Sequence, residues 1–259
     1  MPHDPPVGPA KVWLVGAGPG PADLLTLRAA RLIGQAQALL YDALVDDAVV
    51  ALAPPGCFRL RTGKRSGKTS MTQAVINGLM LKLARRGLSV VRLKGGDPSI
   101  FGRVGEEAAF LSGHGIAVEV VPGVTAASAA AAQFGFPLTH RGQARRLLFA
   151  TARIENGALE TEGWDGGADP KTTLALYMAR EAAGAVADRL IALGRAPATP
   201  AIAVENAGRA DARAIRCDLA SLGPAIAAAG LGGPVVVVIG EAVRAAAAAG
   251  LCAPRSAAG

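Results

Sequence analysis

The stretch VWLVGAGPGPADLLTLRAARLIGQAQALLYD, residues 12–42, reads as strand, helix and strand in close succession. VWLVG (12–16) is a short apolar run ending in glycine, the length and composition of a buried strand. Asp23 is placed to cap a helix whose apolar face is Leu24, Leu25, Ala29, Leu32 and Ile33, and Gly34 closes it. ALLYD (38–42) follows as the second strand. Two strands joined by one helix form a βαβ unit, so the reading is an α/β chain built on a parallel sheet.

The same rhythm continues outward. Val75, Ile76, Leu79, Met80 and Leu83 recur at helical spacing, Gly87 ends that helix, and SVVRL (89–93) is the next strand. Residues 106–111 read as helix, AVEVV (117–121) as strand and TAASAAAA (125–132) as a small-residue helix able to approach a neighbour closely. Near 135–142 the composition shifts. Beyond it LLFAT (147–151), TLALYM (173–178), AIAVE (201–205) and PVVVVIG (234–240) read as strands, with 155–171 a polar, Gly-rich surface stretch. The expectation is two α/β domains, 11–137 and 138–248, with flexible tails at 1–10 and 249–259.

Composition narrows the function. Hydrophobic residues are 51% of the 259, enough for a sizeable core, and charged residues 18%, which argues against disorder. Aromatics at 4% argue against a base-stacking single-strand binder. The 27 Lys and Arg against 20 Asp and Glu leave a formal +7, which favours a polyanionic partner: nucleic acid, phosphate or a many-carboxylate small molecule. Cys57, Cys217 and Cys252 are dispersed and odd in number, and there are three His. A disulfide framework and a zinc site are therefore not expected, and the chain reads as cytoplasmic. No apolar run approaches the roughly 18 residues of a membrane span, and the Pro-rich start lacks the pattern of a secretory signal.

Several motifs invite a chemical reading. GAGPGP (16–21), after a strand and before a helix, offers Gly16 and Gly18 to a dinucleotide turn, and Asp42 stands about where a ribose-binding acid would; Pro21 occupies the third glycine position. A purely structural turn fits as well. TGKRSGKTS (62–70) ends like a phosphate loop, but Gly63 is one residue too late, and CFRLR (57–61) before it is short and half charged, so no strand is read there. What remains is a basic, Gly-punctuated segment, Arg59, Arg61, Lys64, Arg65 and Lys68, either a solvated loop or a docking site for carboxylates. LKGGDPSIFGR (93–103) puts two glycines at a strand's C-terminal end, where a ligand can approach the backbone. In PGVTAAS (122–128) Thr125 opens a helix just past a strand. His114 and His140 have no nucleophile near them in sequence, and His140 reads as a structural hydrogen-bonder.

Together VWLVGAGPG, LLTLRAARLI, YDALV, GKRSG, QAVIN, VVRLKGGDPSIFGR, VPGVTAAS and PLTHR, in this order and at these spacings, resemble the tetrapyrrole (precorrin) methyltransferases. The likeness is dense over 12–141 and looser through LALYMAR (174–180), AIAVENAGR (201–209) and PVVVVIGEAV (234–243). It implies two α/β domains with S-adenosylmethionine in the cleft between them, a homodimer and no metal. Within the family YDALV with GKRSG resembles the members that methylate rings A and B of uroporphyrinogen III to precorrin-2, at the branch to sirohaem and cobalamin; a methylase of a later corrin intermediate is the neighbouring alternative. The resemblance further implies cofactor contacts at Pro19, Gly95, Gly96, Asp97, Ile100, Thr125, Ala126, Met178 and Ala207, a proton acceptor at Asp42 and a proton donor at Lys64. A polyanionic tetrapyrrole would meet Arg59, Arg61, Arg65 and Arg141, with Arg145, Arg146 and Arg153 as further candidates. Ser99, Val104, Gly142, Gln143, Ala179 and Cys217 depart from the residues usual in the family, which bears on the substrate side more than on the cofactor. Nucleic acid and membrane partners are not implied; a nicotinamide-dependent dehydrogenase is the rival that the Gly-rich turn alone would suggest.

Overall fold

Side-chain parity along the first strand sets up two cores. In β1 (Lys11–Gly16), Val12 and Leu14 are buried on one face and Val15 on the other. Leu39 parts from Ala38 and Leu40 in the same way in β2 (Ala38–Tyr41), and Val91 and Leu93 from Val90 in β4 (Val90–Lys94). A sheet buried on both faces needs helices on both, as a parallel sheet supplies. In this computed structural model, which describes residues 11–63, 71–152, 154–155, 158–159 and 164–248, the chain forms two compact units, Met1–Thr125 and Ala126–Gly259.

The first unit is a five-stranded sheet, all parallel, in the order β3-β2-β4-β1-β5, with β3 at Phe58–Arg61 and β5 at Ala117–Val121. α1 (Leu27–Ile33) and α2 (Asp47–Val50) cover the face of Val15, Leu39 and Val91. α3 (Gln73–Arg85) and α4 (Val104–Gly113) cover the face of Leu14, Leu40 and Val90. Two sequence expectations are corrected here. The cap of α1 is Thr26, whose hydroxyl accepts from the Ala29 amide at 3.1 Å, because residues 22–24 first form a 3-10 turn; Asp23 lies inside that turn. CFRLR does hold a strand: β3 is an edge strand with Phe58 and Arg59 exposed, so its charges face solvent and leave no apolar alternation to read.

The second unit is a mixed sheet in the order β11-β10-β12-β9-β6. Here β6 (Arg146–Thr151) and β9 (Thr172–Tyr177) are parallel, and β12 (Val235–Ile239), β10 (Pro200–Glu205) and β11 (Arg213–Asp218) pair antiparallel in turn. The sequence reading missed β11, whose RAIRCD is half exposed at the sheet edge. A short ribbon, β7 (Ile154–Glu155) with β8 (Ala158–Leu159), also interrupts the stretch read as loop. Trp164 in that stretch is 2% exposed and belongs to the core beneath α6 (Ala183–Ala192) and α7 (Leu222–Ala228). The chain divides at 125/126, where the sequence suggested 137/138. α5 (Ala126–Gln133) goes with the second unit and lies against β12, its Ala127, Ala129 and Ala130 buried. α8 (Glu241–Ala248) lies against β10. Both expected tails fall outside the described residues.

Two glycines decide how closely the ends of β1 and β5 approach each other and the loop after β4. A Cβ on Gly16 would stand 2.6 Å from the Gly123 amide nitrogen and 2.8 Å from the Gly96 carbonyl oxygen; one on Gly123 would stand 2.9 Å from Gly16 Cα. Gly105, exposed in α4, has open space around it. Gly123→Ala is expected to lower stability by about 1–3 kcal/mol in urea unfolding, whereas Gly105→Ala should stabilise by about 0.5–1 kcal/mol. Equal responses of the two variants would contradict the close-approach account.

Candidate active site

The C-terminal edge of the first sheet is where an open parallel sheet receives ligands. The turn after β1 and the loop after β4 are tied there: the Gly96 amide donates to Gly18 O at 2.7 Å, the Gly18 amide to Gly96 O at 3.2 Å and the Ala17 amide to Lys94 O at 2.8 Å. Asp97 ties the same loop to the exit of β5, one carboxylate oxygen accepting from the Ser99 amide at 2.7 Å and the other from the Gly123 amide at 3.0 Å. Gly96 takes φ 69°, a conformation that favours glycine, and its hydrogen-only Cα faces Val124 and Thr125. The loops at 95–97 and 123–125 are thereby held together and braced at the sheet edge where a ligand would approach. Ile100 and Pro19, in the loops on either side, are half-buried.

The second sheet has a comparable edge. β9 and β10 both run antiparallel to β12, so they leave the sheet on the same side. Met178, directly after β9, is 62% exposed with φ 58°; Asn206, directly after β10, has φ 52° and precedes the buried Ala207. The start of α5 reaches this edge as well, since the Ala127 amide donates to Tyr177 Oη at 3.3 Å. Gln133 on α5 clamps the loop after β10, accepting from the Gly208 amide at 2.8 Å and donating to Arg209 O at 2.9 Å. Among the described residues the non-glycine positions with left-handed backbone are Phe101, Arg103, Met178 and Asn206, all in loops leaving β4, β9 or β10. Strained backbone of this kind concentrates where function fixes a loop.

Asp42 sits at the end of β2, beside β4, its side chain 33% exposed. Its amide donates to Leu93 O at 3.2 Å, and its Oδ1 accepts from the Arg92 guanidinium; the Thr62 hydroxyl lies between Tyr41 O at 3.1 Å and Oδ1 at 3.4 Å. Arg92 and Lys94 alternate with Leu93 on β4, so both point to the α3/α4 face, where Glu107 on α4 meets them. The sequence reading passed over these residues. Their signal was present as two cations at i and i+2 inside a strand otherwise wholly apolar, VVRLK, which parity sends indoors.

Of the residues expected at the site, Pro19, Gly95, Gly96, Asp97, Ile100 and Thr125 gather with Asp42 at the strand ends of the first unit. Ala126, Met178 and Ala207 gather at one edge of the second. Lys64 and Arg65 lie outside the described residues. Arg59 is already engaged, donating to Ala53 O at 2.6 Å and Pro54 O at 3.0 Å. Arg61 lies over the Tyr41 ring and 3.9 Å from Asp47. Arg141 is exposed in a turn of the second unit that His140 organises: its amide and carbonyl pair with Ala144, and its Nδ1 accepts from the Gly142 amide at 3.4 Å. Arg103, after the β4 loop, folds back onto Glu106 through two bonds of 2.8 and 2.7 Å, which hold the Glu106 carboxyl below its ordinary range. No cluster of three His, Cys, Asp or Glu side chains stands together among the described residues, and no helix there is long and apolar enough to cross a membrane.

The family described as Tetrapyrrole (Corrin/Porphyrin) Methylases matches residues 11–223, and the chain belongs to it. It is 44% identical over 237 residues to the chloroplastic S-adenosyl-L-methionine-dependent uroporphyrinogen III methyltransferase of Arabidopsis thaliana, covering 91% of this chain and 64% of that protein. With the siroheme synthase of Chromobacterium violaceum it shares 44% identity, covering 90% of this chain and 49% of the relative. The chain thus spans about half to just under two thirds of the length of these curated relatives. Among solved structures, the uroporphyrin-III C-methyl transferase of Thermus thermophilus complexed with S-adenyl homocysteine aligns with a TM-score of 0.78 at 40% identity, covering 91% of this chain and 99% of that one.

The exit of β10 is held by one carboxylate. Glu205, 3% exposed, accepts from the Gly233 amide at 2.6 Å, the Gly232 amide at 2.7 Å and the Arg213 guanidinium at 2.6 Å. The Gly233 amide foremost, with Arg213 and the Gly232 amide behind it, holds the Glu205 carboxyl below its ordinary range. A carboxyl whose folded pKa is depressed contributes stability above its unfolded pKa, and that contribution is lost as pH falls through the folded value. Glu205→Gln should therefore cost about 1–3 kcal/mol at pH 7, with the gap to the parent closing as the pH is lowered through the acid range. A gap independent of pH in urea titrations would contradict this.

Proposed function

We propose that this chain transfers methyl groups from S-adenosylmethionine to rings A and B of uroporphyrinogen III, two in turn, giving precorrin-2 for sirohaem or cobalamin synthesis. The observation that carries the reading is that Asp42 and the glycine loops of 95–97 and 123–125 leave the same, C-terminal, edge of the first unit's parallel sheet. The names of the plant relative and of the Thermus structure support the same substrate and methyl donor. Against a nicotinamide reading stands Pro21, which starts a 3-10 turn where a dinucleotide fold uses a third glycine.

Bound S-adenosylmethionine would supply an electrophilic methyl on a sulfonium. The residues around it have a modest task, since a pyrrole carbon of the reduced macrocycle is electron-rich and displaces the thioether in line; alignment does most of the work. Gly95, Gly96, Asp97, Ile100 and Thr125, with Pro19, hold and orient the donor, and the family resemblance adds Ala126, Met178 and Ala207 to its contacts. As the carbon–carbon bond forms and the sulfur–carbon bond breaks, the ring system must shed a proton, and Asp42 accepts it. Lys64 acts as proton donor. Arg61, Arg65 and Arg141 pair with the carboxylates of the substrate, consistent with the formal +7. Arg59 serves there only by exchanging the two carbonyls it now holds. The reading includes a homodimer, on the family resemblance, and a cytoplasmic setting, on the dispersed, odd cysteines.

Anaerobic incubation of the chain with uroporphyrinogen III and methyl-labelled S-adenosylmethionine, followed by mass spectrometry, should show one and then two methyl groups added. Asp42→Ala should lower kcat by about 10²-fold or more while S-adenosylhomocysteine affinity, by calorimetry, stays within about twofold of the parent. Bound cofactor with no methyl on this substrate would overturn the substrate and move it to a later corrin intermediate. An Asp42→Ala variant of full activity would overturn the proton-acceptor role.

A further inference from the structure

Behind Asp42 runs a chain of four alternating charges: Asp42, Arg92, Glu107, Lys94. Arg92 Nε donates to Glu107 Oε1 at 3.2 Å, its Nη1 to Leu93 O at 3.2 Å, and its Nη2 to Asp42 Oδ1. Lys94 Nζ donates to both Glu107 oxygens, at 3.1 and 3.0 Å, and the Gln73 amide adds a bond of 3.0 Å to Oε1 while also reaching Asn77 at 2.9 Å. Glu107 is fully buried, and Arg92 and Lys94 are 2% and 4% exposed. Only Asp42, at the end of the chain, reaches solvent. Buried ion pairs of this sort stabilise a fold no better than apolar side chains of the same volume, because desolvation offsets the attraction. Stability therefore does not account for placing two cations and a carboxylate inside the α3/α4 core among Leu14, Leu40 and Met80.

We propose that Arg92, itself held by Glu107, Lys94 and Gln73, is a positioning residue that fixes the Asp42 carboxylate for proton acceptance. The inference rests on the reading of Asp42 as the proton acceptor. A guanidinium suits the task because its planar fork meets two carboxylates at a set angle, where an ammonium on a flexible stem would not. One fork arm is locked on Glu107, so the other offers Asp42 a single orientation. Arg92 donates to Oδ1, and the Thr62 hydroxyl, which has Tyr41 O at 3.1 Å, stands 3.4 Å from the same atom. Among the described residues no donor lies on Oδ2, and the proton taken from the substrate goes to that atom. Opposite charges alternate along the chain, Asp42 with Arg92, Arg92 with Glu107 and Glu107 with Lys94.

The test is a double-mutant cycle on the full chain, read as kcat and KM for anaerobic methylation of uroporphyrinogen III, with S-adenosylhomocysteine Kd by calorimetry. Arg92→Met should lower kcat by about 10-fold to 100-fold, the scale of a misplaced reacting group, with KM and Kd within about twofold of the parent. In an Asp42→Asn background the same change should have no further effect on kcat, since the two residues act as a unit. Arg92→Lys retains the charge but not the fork; it should fold, lose kcat several-fold and show the same non-additivity, which keeps the question answerable if Arg92→Met does not fold. Losses that multiply independently in the Asp42→Asn background, or that fall on Kd and kcat together, would overturn the positioning role while leaving Asp42 as base. Wild-type kcat in Asp42→Asn alone would instead overturn the base itself, and the inference with it.

Discussion

The contact on which the rest of the first unit depends is made without side chains. Gly16 and Gly123 approach each other and the Gly96 carbonyl more tightly than a Cβ on either permits, and the hydrogen bonds of Asp97 and of the Gly18–Gly96 bridge lock the ends of β1, β4 and β5 at that separation. The loops are braced by backbone and by one carboxylate, so their peptide groups are held in place. A ligand bound there meets pre-formed peptide groups and requires little ordering of side chains, which lowers the entropic cost of holding it.

Strand parity does the remaining work. In β4 the alternation that buries Val91 and Leu93 under α1 and α2 sends Val90, Arg92 and Lys94 to the opposite face, where Glu107 and Gln73 satisfy the two cations. A register shift of one residue would exchange these faces and strand both charges. The parallel pairing of β2 with β4 then sets Asp42 within reach of Arg92. The catalytic carboxylate proposed here is thus positioned by the sheet's own pairing and by a charge chain running through the core to α4.

Much of this was legible in the sequence where apolar periodicity and glycine punctuation agree. β1, β2, β4 and β5, with α3 and α4, fall within a residue or two of their reading, α2 went unread, and GAGPGP, LKGGDP and PGVT mark loops at the sheet edge. The misreadings have physical causes. Asp23 had the chemistry of a cap, but the 3-10 turn shifted the helix start to Thr26, whose hydroxyl is an equally good acceptor. β3 and β11 are edge strands whose polar residues face solvent, so no alternation announces them. The helix of alanines at 126–133 was recognised as one that packs closely, but sequence carries nothing to say which sheet it would join. The charge chain was missed for a related reason: Arg92, Glu107 and Lys94 look like surface residues until the strand and helix that carry them are placed face to face.

The central claim is that the glycine-braced edge of the first sheet receives the methyl donor beside Asp42. A crystal structure of the chain grown with S-adenosylhomocysteine tests it most directly. The account predicts the product lying against the backbone of 95–97 and 123–125, with Asp42 still held by Arg92. A nucleoside bound elsewhere, with those loops untouched, would contradict it.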